Sequence, residues 1–442
     1  MSQRLLESLT TTEPLAEVFS DGAFLDAMLR FERALARAEA RSGIITSSAA
    51  DAIARAAVPE AFDPASIARD ATRSGTVTIP LVQRLIERVS AIDPAAATYV
   101  HWGATSQDVT DTALVLCLQR AHAILVANHE RLTKELHRLS EQYASAPMLG
   151  RTLMQPAPPT TFGLKAAGWF GAVSRSGEQM TSAFKAACVL QFGGASGTLA
   201  ALGSHGRKVS DDLARELGLP NPEAPWHAHR DRLATLVTSC GIYTGTLGKI
   251  ARDITLLMQQ EVAEAAEPGG GSSTMPHKRN PAGCAIALAA ATRVPGLVAA
   301  FLAGMPQEHE RGVGGHHAEA ATTADIVQGT GAALAAVAGA IEGLRVDPAR
   351  MLHNIAANSE VFAERAMMLL APVLGREAAK RVIAQALETA RRDGRRFVDV
   401  LSEDESVTSA IDLAQLSTLD RPDEYLGSAE EFRRRLIGGD RQ

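Results

Sequence analysis

Cysteine is scarce and nowhere paired. Cys117, Cys188, Cys240 and Cys284 lie far apart in 442 residues, and no Cys-x-x-Cys spacing occurs. That argues against a disulfide framework or a cysteine-held metal, and the thiols read as reduced core residues of a cytoplasmic protein. Excess positive charge is missing too. With 44 Lys and Arg against 50 Asp and Glu, the formal charge is −6, which gives no footprint for nucleic acid or an anionic membrane surface. No uninterrupted apolar run approaches the roughly 18 residues of a membrane span. The start, Met1-Ser2-Gln3-Arg4, leads into polar sequence without an apolar secretory core. Fixed-period repeats and long low-complexity segments are absent. What remains, 46% hydrophobic and 21% charged, is the balance of a soluble globular protein. An anionic substrate must therefore be met by local cations, not by the overall field.

Proline is missing from three long stretches, 111–146, 227–267 and 307–346. The first carries apolar residues at helical spacing (Leu114, Leu118, Ala121, Leu125) and stops at Pro147. The second would span about 60 Å if wholly helical. Its apolar residues exceed one face, which predicts burial among other helices, and Gly241, Gly245 and Gly248 predict close packing there. Further helices are predicted at Phe24–Ser42, with Leu25, Met28, Leu29, Phe31 and Leu35 on one side, from Pro159 to about Leu190, and at Asn280–Gly304, kinked at Pro295. Alternation of the β type is scarce. The expectation is an all-α chain of three lobes: an N-terminal helical domain (1–110), a central bundle of about five long helices (111–346) and a C-terminal helical domain (347–442).

The stretch Pro268-Gly269-Gly270-Gly271-Ser272-Ser273-Thr274-Met275-Pro276-His277-Lys278-Arg279-Asn280-Pro281 stands between two of these helices. Three glycines free the backbone for positive φ, so the loop can close over a ligand. It carries hydroxyls, an imidazole, an ammonium and an amide. Asn280 and Pro281 read as the N-cap and first residue of the next helix, whose free N–H groups favour an anion. Taken alone, the pattern also fits a Gly-Ser linker ending in a helix cap. A nucleotide-phosphate loop is excluded, because Lys278 is followed by Arg279 and the preceding segment is helical.

The run from Gly271 to Asn280 fills every fixed position of Gly-Ser-Ser-x-Met-Pro-x-Lys-x-Asn, and it resembles the signature of the fumarase/aspartase superfamily. The segments Leu190–Gly203, Pro225–Glu264 and Met305–Gly312, with Ile79-Pro80-Leu81-Val82, resemble one branch of it, the bacterial 3-carboxy-cis,cis-muconate cycloisomerases. The resemblance implies an intramolecular lyase acting on a small tricarboxylate without cofactor or metal. It also implies a homotetramer whose active sites are shared between subunits. Ser272 would be the acid or base at carbon, Lys278 the cation that stabilises its alkoxide, and Asn280 a donor to a substrate carboxylate. Thr105 and Ser106, in the polar run before Asp111, match the superfamily's first substrate-binding segment; the same residues also suit an ordinary helix cap.

In the segment Gly150–Gly163 the chain departs from the lyases of the superfamily. They carry Thr-His where this chain has Thr152-Leu153, and Pro156 stands where some cycloisomerases have a histidine. Without that histidine, elimination of an amine or hydroxyl lacks its leaving-group acid. Thr152 and Gln155 remain as binding groups, joined by His229 and Arg230 before the longest helical stretch and by Arg311. His309, Glu310, His316, His317 and Glu319 match no zinc spacing; His316 and His317 read as polar residues at a junction between helices, with His309 or Arg311 nearer the site. The alternatives are an adenylosuccinate lyase-like elimination enzyme and a non-catalytic helical scaffold.

Overall fold

The structure, a computed structural model, describes residues 5–271, 274–275 and 277–438. It is 69% helical, as expected of an all-α chain. The principal elements are α1 (Asp21–Arg41), α2 (Ser106–Gln142), β1 (Pro147–Thr152), β2 (Gln155–Thr161), α3 (Phe162–Ala187), α4 (Asp231–Leu257), α5 (Ala282–Ala303), α6 (Gly315–Glu342), α7 (Ala363–Leu374) and α8 (Arg376–Asp393). Helices α2 to α6 are the five long rods, of 22 to 37 residues. The 227–267 stretch is shorter as a helix than expected: α4 covers 27 residues, about 40 Å at 1.5 Å per residue. The chain leaves it after Leu257, passes through a turn with Ala263 at φ 51°, and forms a two-residue strand at Ala265–Ala266. The chain divides into two compact units, Met1–Glu130 with Arg175–Lys249 and Ala285–Val337, and Arg131–Ser174 with Ile250–Cys284 and Ala338–Gln442.

In the first unit, Ser20 caps α1 by accepting the Ala23 N–H at 3.2 Å. The predicted stripe Leu25, Met28, Leu29, Phe31 and Leu35 is buried throughout, and α1 packs on the helices Ser47–Ala56 and Gly206–Leu217. Two of the three α4 glycines serve close packing. A Cβ on Gly248 would sit 2.6 Å from the Ala291 Cβ and one on Gly241 3.1 Å from Val298, whereas Gly245 faces open space.

The α1 core also encloses an acid. Glu39 is 0% exposed and neither of its carboxyl oxygens has a partner. Burial, with the nearby Glu32 charge, pushes it up to about 9. The folded state thus keeps a proton that the unfolded chain releases near pH 4.5. Stability should be full below that pH, fall as pH rises, and level off above about 9. At 1.36 kcal/mol per pH unit, Glu39 costs about 3 kcal/mol between pH 4.5 and 7. Urea unfolding at pH 5, 7 and 8.5 should show Glu39→Gln with a slope flattened by that amount.

In the second unit, α7 and α8 pack around Ala366, Leu370, Ala379, Ile383, Phe397 and Leu401. The hairpin β1–β2 was not expected from the sequence. Pro156, Pro158 and Pro159 interrupt β2, and a strand that pairs on one side only can carry them because some of its N–H groups need no partner. Arg151 anchors the hairpin by donating from Nη1 and Nη2 to the buried Glu264 carboxylate at 2.8 and 2.7 Å. Asn354 Nδ2 donates to the same group at 2.8 Å.

Helices α2, α5 and α6 are long and apolar enough to cross a membrane by length and mean hydropathy, although polar residues interrupt each apolar run. In α2 and α6, 61% and 67% of the most apolar window is buried in the fold, so that hydropathy belongs to the core. In α5 only 22% is buried, and the exposed residues include Ala285, Ala289, Gly296 and Ala300.

Candidate active site

In the first unit, α2 and α6 both begin at one cavity of about 720 Å³, lined among others by Ser106, Gln107, Thr110, Arg311, His316 and His317. Helix starts carry free N–H groups and the positive end of the dipole, so this arrangement favours an anion. Of the residues expected here, Ser106 and Arg311 line the cavity, and Arg311 Nη1 donates to Thr105 Oγ1 at 2.5 Å. Thr105 is the residue before the helix, and Asp108 reaches back to accept its N–H at 3.0 Å, half of a capping box. The Thr105 hydroxyl is turned to Arg311 instead of completing that box.

Beneath the cavity lies a fully buried polar network. Asp108 accepts from Gly193 and Gly194 N–H, each at 2.9 Å, and shares a 2.7 Å hydrogen bond with His227 Nε2. Gly194 has φ 69°, and a Cβ there would meet the Gly103 carbonyl at 2.7 Å, so the approach needs glycine. Asp111 receives both Arg230 Nη atoms at 2.8 and 2.9 Å, and Gln107 and Gln191 Nε2 at 3.1 Å each. Burial pushes the Asp111 carboxyl up, but Arg230 outweighs it and the net shift is down. Glu319 accepts Arg230 Nε at 2.7 Å and Gln307 Nε2 at 2.6 Å, and burial leaves it above the usual carboxylate range despite Arg230.

Arg230 therefore corrects an expectation. Its guanidinium is 0% exposed, committed to Asp111 and Glu319, and stacked 4.6 Å from the Trp226 ring. Buried and turned to those two acids, it does not line the cavity, and its role is to hold the cavity's floor. His229 is exposed and absent from the cavity lining. The sequence reading missed Asp108, Asp111 and Gln191. Their one signal was two acids at i and i+3 on the face of an otherwise apolar helix, a position acids occupy only when paired.

In the second unit, Lys278 is exposed along a cleft of about 1030 Å³ whose lining includes His277, Arg279 and Arg345. Lys278, Arg279 and Arg345 supply the local positive field that a net acidic chain needs for an anionic ligand. Gly269 and Gly270 have φ 91° and 72°. The loop is tied at its neck: Asn280 N–H donates to the Gly270 carbonyl at 2.5 Å, and a Cβ on Gly270 would lie 1.7 Å from the Asn280 oxygen. Asn280 Nδ2 donates to Gly271 O at 3.4 Å. Ser272 lies outside the described residues, as do Ser273 and Pro276.

The start of α5 corrects a second expectation. The helix begins at Ala282, and its first free N–H groups, Gly283 and Cys284, donate to the buried Glu267 carboxylate at 2.8 and 3.0 Å. An internal anion already occupies that helix end, so it is not available to the substrate. Thr152 and Gln155 pair across the tip of the hairpin and are exposed. Leu153 and Met154 form the tip at φ 50° and 65°, with 96% and 70% exposure. Two bulky apolar residues in a left-handed turn cost of order 1 kcal/mol each, a strain that clusters at functional sites.

A family model described as Lyase matches residues 7–296, and one described as Adenylosuccinate lyase C-terminus matches 360–436. The chain belongs to the fumarase/aspartase superfamily. Within that superfamily, it is 44% identical to a 3-carboxy-cis,cis-muconate cycloisomerase of Pseudomonas aeruginosa, over 99% of this chain and 96% of the relative. It is 43% identical to a protein of the same name from Bradyrhizobium diazoefficiens, over 98% and 97%. The crystal structure of a 3-carboxy-cis,cis-muconate lactonizing enzyme from Pseudomonas putida superposes with a TM-score of 0.93 at 42% identity, covering 99% of this chain and 98% of that one.

Proposed function

We propose that this chain is a cycloisomerase, an intramolecular lyase that interconverts 3-carboxy-cis,cis-muconate and 4-carboxymuconolactone in the protocatechuate branch of aromatic degradation. The observation that carries the reading is 44% identity over 99% of the chain to a relative of that name. The residue at the hairpin tip agrees with it. Leu153 offers no proton, and the group that departs in the reverse of lactonisation is a carboxylate, which leaves without one.

In the forward direction one substrate carboxylate adds across a double bond, and a proton reaches the carbon alpha to another carboxylate. The electrons of the double bond pass into that second carboxylate as an enediolate until the proton arrives. In this reading Ser272 gives the carbon proton, while Lys278 and Asn280 stabilise the added charge. Ser106 and Arg311, with Thr105 beside them, hold a carboxylate, and Thr152 and Gln155 are further substrate ligands. Atoms balance between substrate and lactone, so no cofactor enters. The working form is a cytoplasmic homotetramer in which subunits complete one another's active sites. The exposed apolar residues of α5 support such an assembly, since water is a poor solvent for them.

An absorbance assay over a panel of muconates, run beside adenylosuccinate, tests the activity. Loss of the diene absorbance of 3-carboxy-cis,cis-muconate is the expected result. Cleavage of adenylosuccinate with no turnover of any muconate would overturn it.

A further inference from the structure

The cavity at the starts of α2 and α6 holds an imidazole that none of the steps above uses. His316 is the second residue of α6 and lines the cavity with Ser106 and Arg311. Its Nδ1 is buried and has no hydrogen-bond partner. Of the two ring positions, this is the worse place for a proton, because an N–H there would be a desolvated donor without an acceptor. The stable neutral tautomer therefore carries its hydrogen on Nε2.

We propose that His316 is a substrate-binding residue that acts as a neutral donor, presenting Nε2–H to a carboxylate in this cavity. The inference rests on the proposed reaction for the identity of the ligand, but its chemistry needs only a small polycarboxylate. Several groups oppose formation of an imidazolium. His316 stands at the positive end of a 28-residue helix. Arg230, Arg311 and His317 face it, and Asp111, the acid that would favour its charge, is bound bidentately by Arg230. Burial is the largest influence and also holds its pKa down. A neutral imidazole at a helix start can donate to an oxyanion without giving up its proton. His316 thus differs from a general acid: it contributes binding and leaves proton delivery to another group.

Removing one hydrogen bond to a charged acceptor should weaken binding by roughly ten- to a hundredfold. His316→Leu is expected to raise KM by that factor with kcat within about threefold, the pattern of a lost ground-state contact. His316→Gln, whose amide nitrogen overlays Nε2, should recover most of the loss. Both variants should keep the wild-type pH profile of kcat between pH 6 and 8.5. Calorimetric titration with tricarballylate, an unreactive tricarboxylate, separates this from the reaction itself. The wild type should bind it with the same heat in phosphate and in Tris, since no proton is taken up, and His316→Leu should bind it more weakly. Equal affinity in wild type and His316→Leu, no binding of tricarballylate by the wild type, or a buffer-dependent heat lost in the variant would each overturn the assignment. Normal tricarballylate binding without muconate turnover would sink the proposed reaction and leave the His316 assignment standing.

Discussion

Replacing Ser272 by Ala is expected to lower kcat with 3-carboxy-cis,cis-muconate by roughly 10²–10⁴-fold, the contribution of a positioned proton donor. The thermal midpoint should stay within a few degrees of wild type. In the proposed reaction the enediolate carbon must meet an acid already aligned with it, so proton delivery is the step this variant is expected to slow. A bulk water would have to reach the same position without the loop's orientation. Carboxylate-binding groups stay in place in the variant, so KM should change far less than kcat, as for an interaction made only in the transition state. Lys278→Met provides the contrast. Loss of a cation that stabilises developing charge should cost about 10²–10³ in kcat, and the deficit should add only partly to that of Ser272→Ala, since both act on one intermediate. Wild-type kcat in Ser272→Ala, measured by diene absorbance, would remove that hydroxyl from proton delivery and leave the loop a binding role.

Much of the fold was legible because helical periodicity reports burial directly. Leu25, Met28, Leu29, Phe31 and Leu35 recur at helical spacing, and all are buried. The long rods were legible for a different reason: four of the five carry no proline to break their i to i−4 hydrogen bonds, and only α5 holds one, Pro295. What was lost is what periodicity does not encode. The β1–β2 hairpin hides behind three prolines that are tolerated only because each strand has a free side. The end of α4 at Leu257 has no proline or terminal glycine to mark it, and is set instead by the short strand pairing of Ala265–Ala266 with Arg345–Val346. At the site, residue type gave the chemistry, while side-chain partners decided who performs it. Arg230 and Arg311 are equally cationic in sequence, yet one is consumed by Asp111 and Glu319 and the other lines the cavity. The start of α5 shows the same limit, since nothing near Asn280 announces that Glu267, thirteen residues earlier, takes the anion position.

Arg230→Met should be the most destabilising substitution in the first unit, by roughly 3–5 kcal/mol, because it strands acids that have no access to water. Arg230 donates to Asp111 and Glu319 together, and Gln107 and Gln191 alone cannot offset a buried carboxylate charge. The deficit should depend on pH with a definite sign. In the wild type the Asp111 pKa is lowered, so its contribution is present above the unfolded carboxylate value near 4 and is lost only as pH falls through the folded one. Without Arg230, burial dominates and the pKa moves above the unfolded value. The variant then loses stability as pH rises from about 4, and the gap to wild type should be narrow near pH 4 and full at pH 7. Adding Asp111→Asn to Arg230→Met removes the stranded charge and should return a large part of the loss at pH 7, a coupling readable from a double-mutant cycle in urea. If Arg230→Met unfolds with the wild-type midpoint at pH 7, the guanidinium is not holding these acids, and the floor assigned to the cavity fails with it. If the double variant is no more stable than the single one, the loss comes from packing against Trp226, not from unpaired charge.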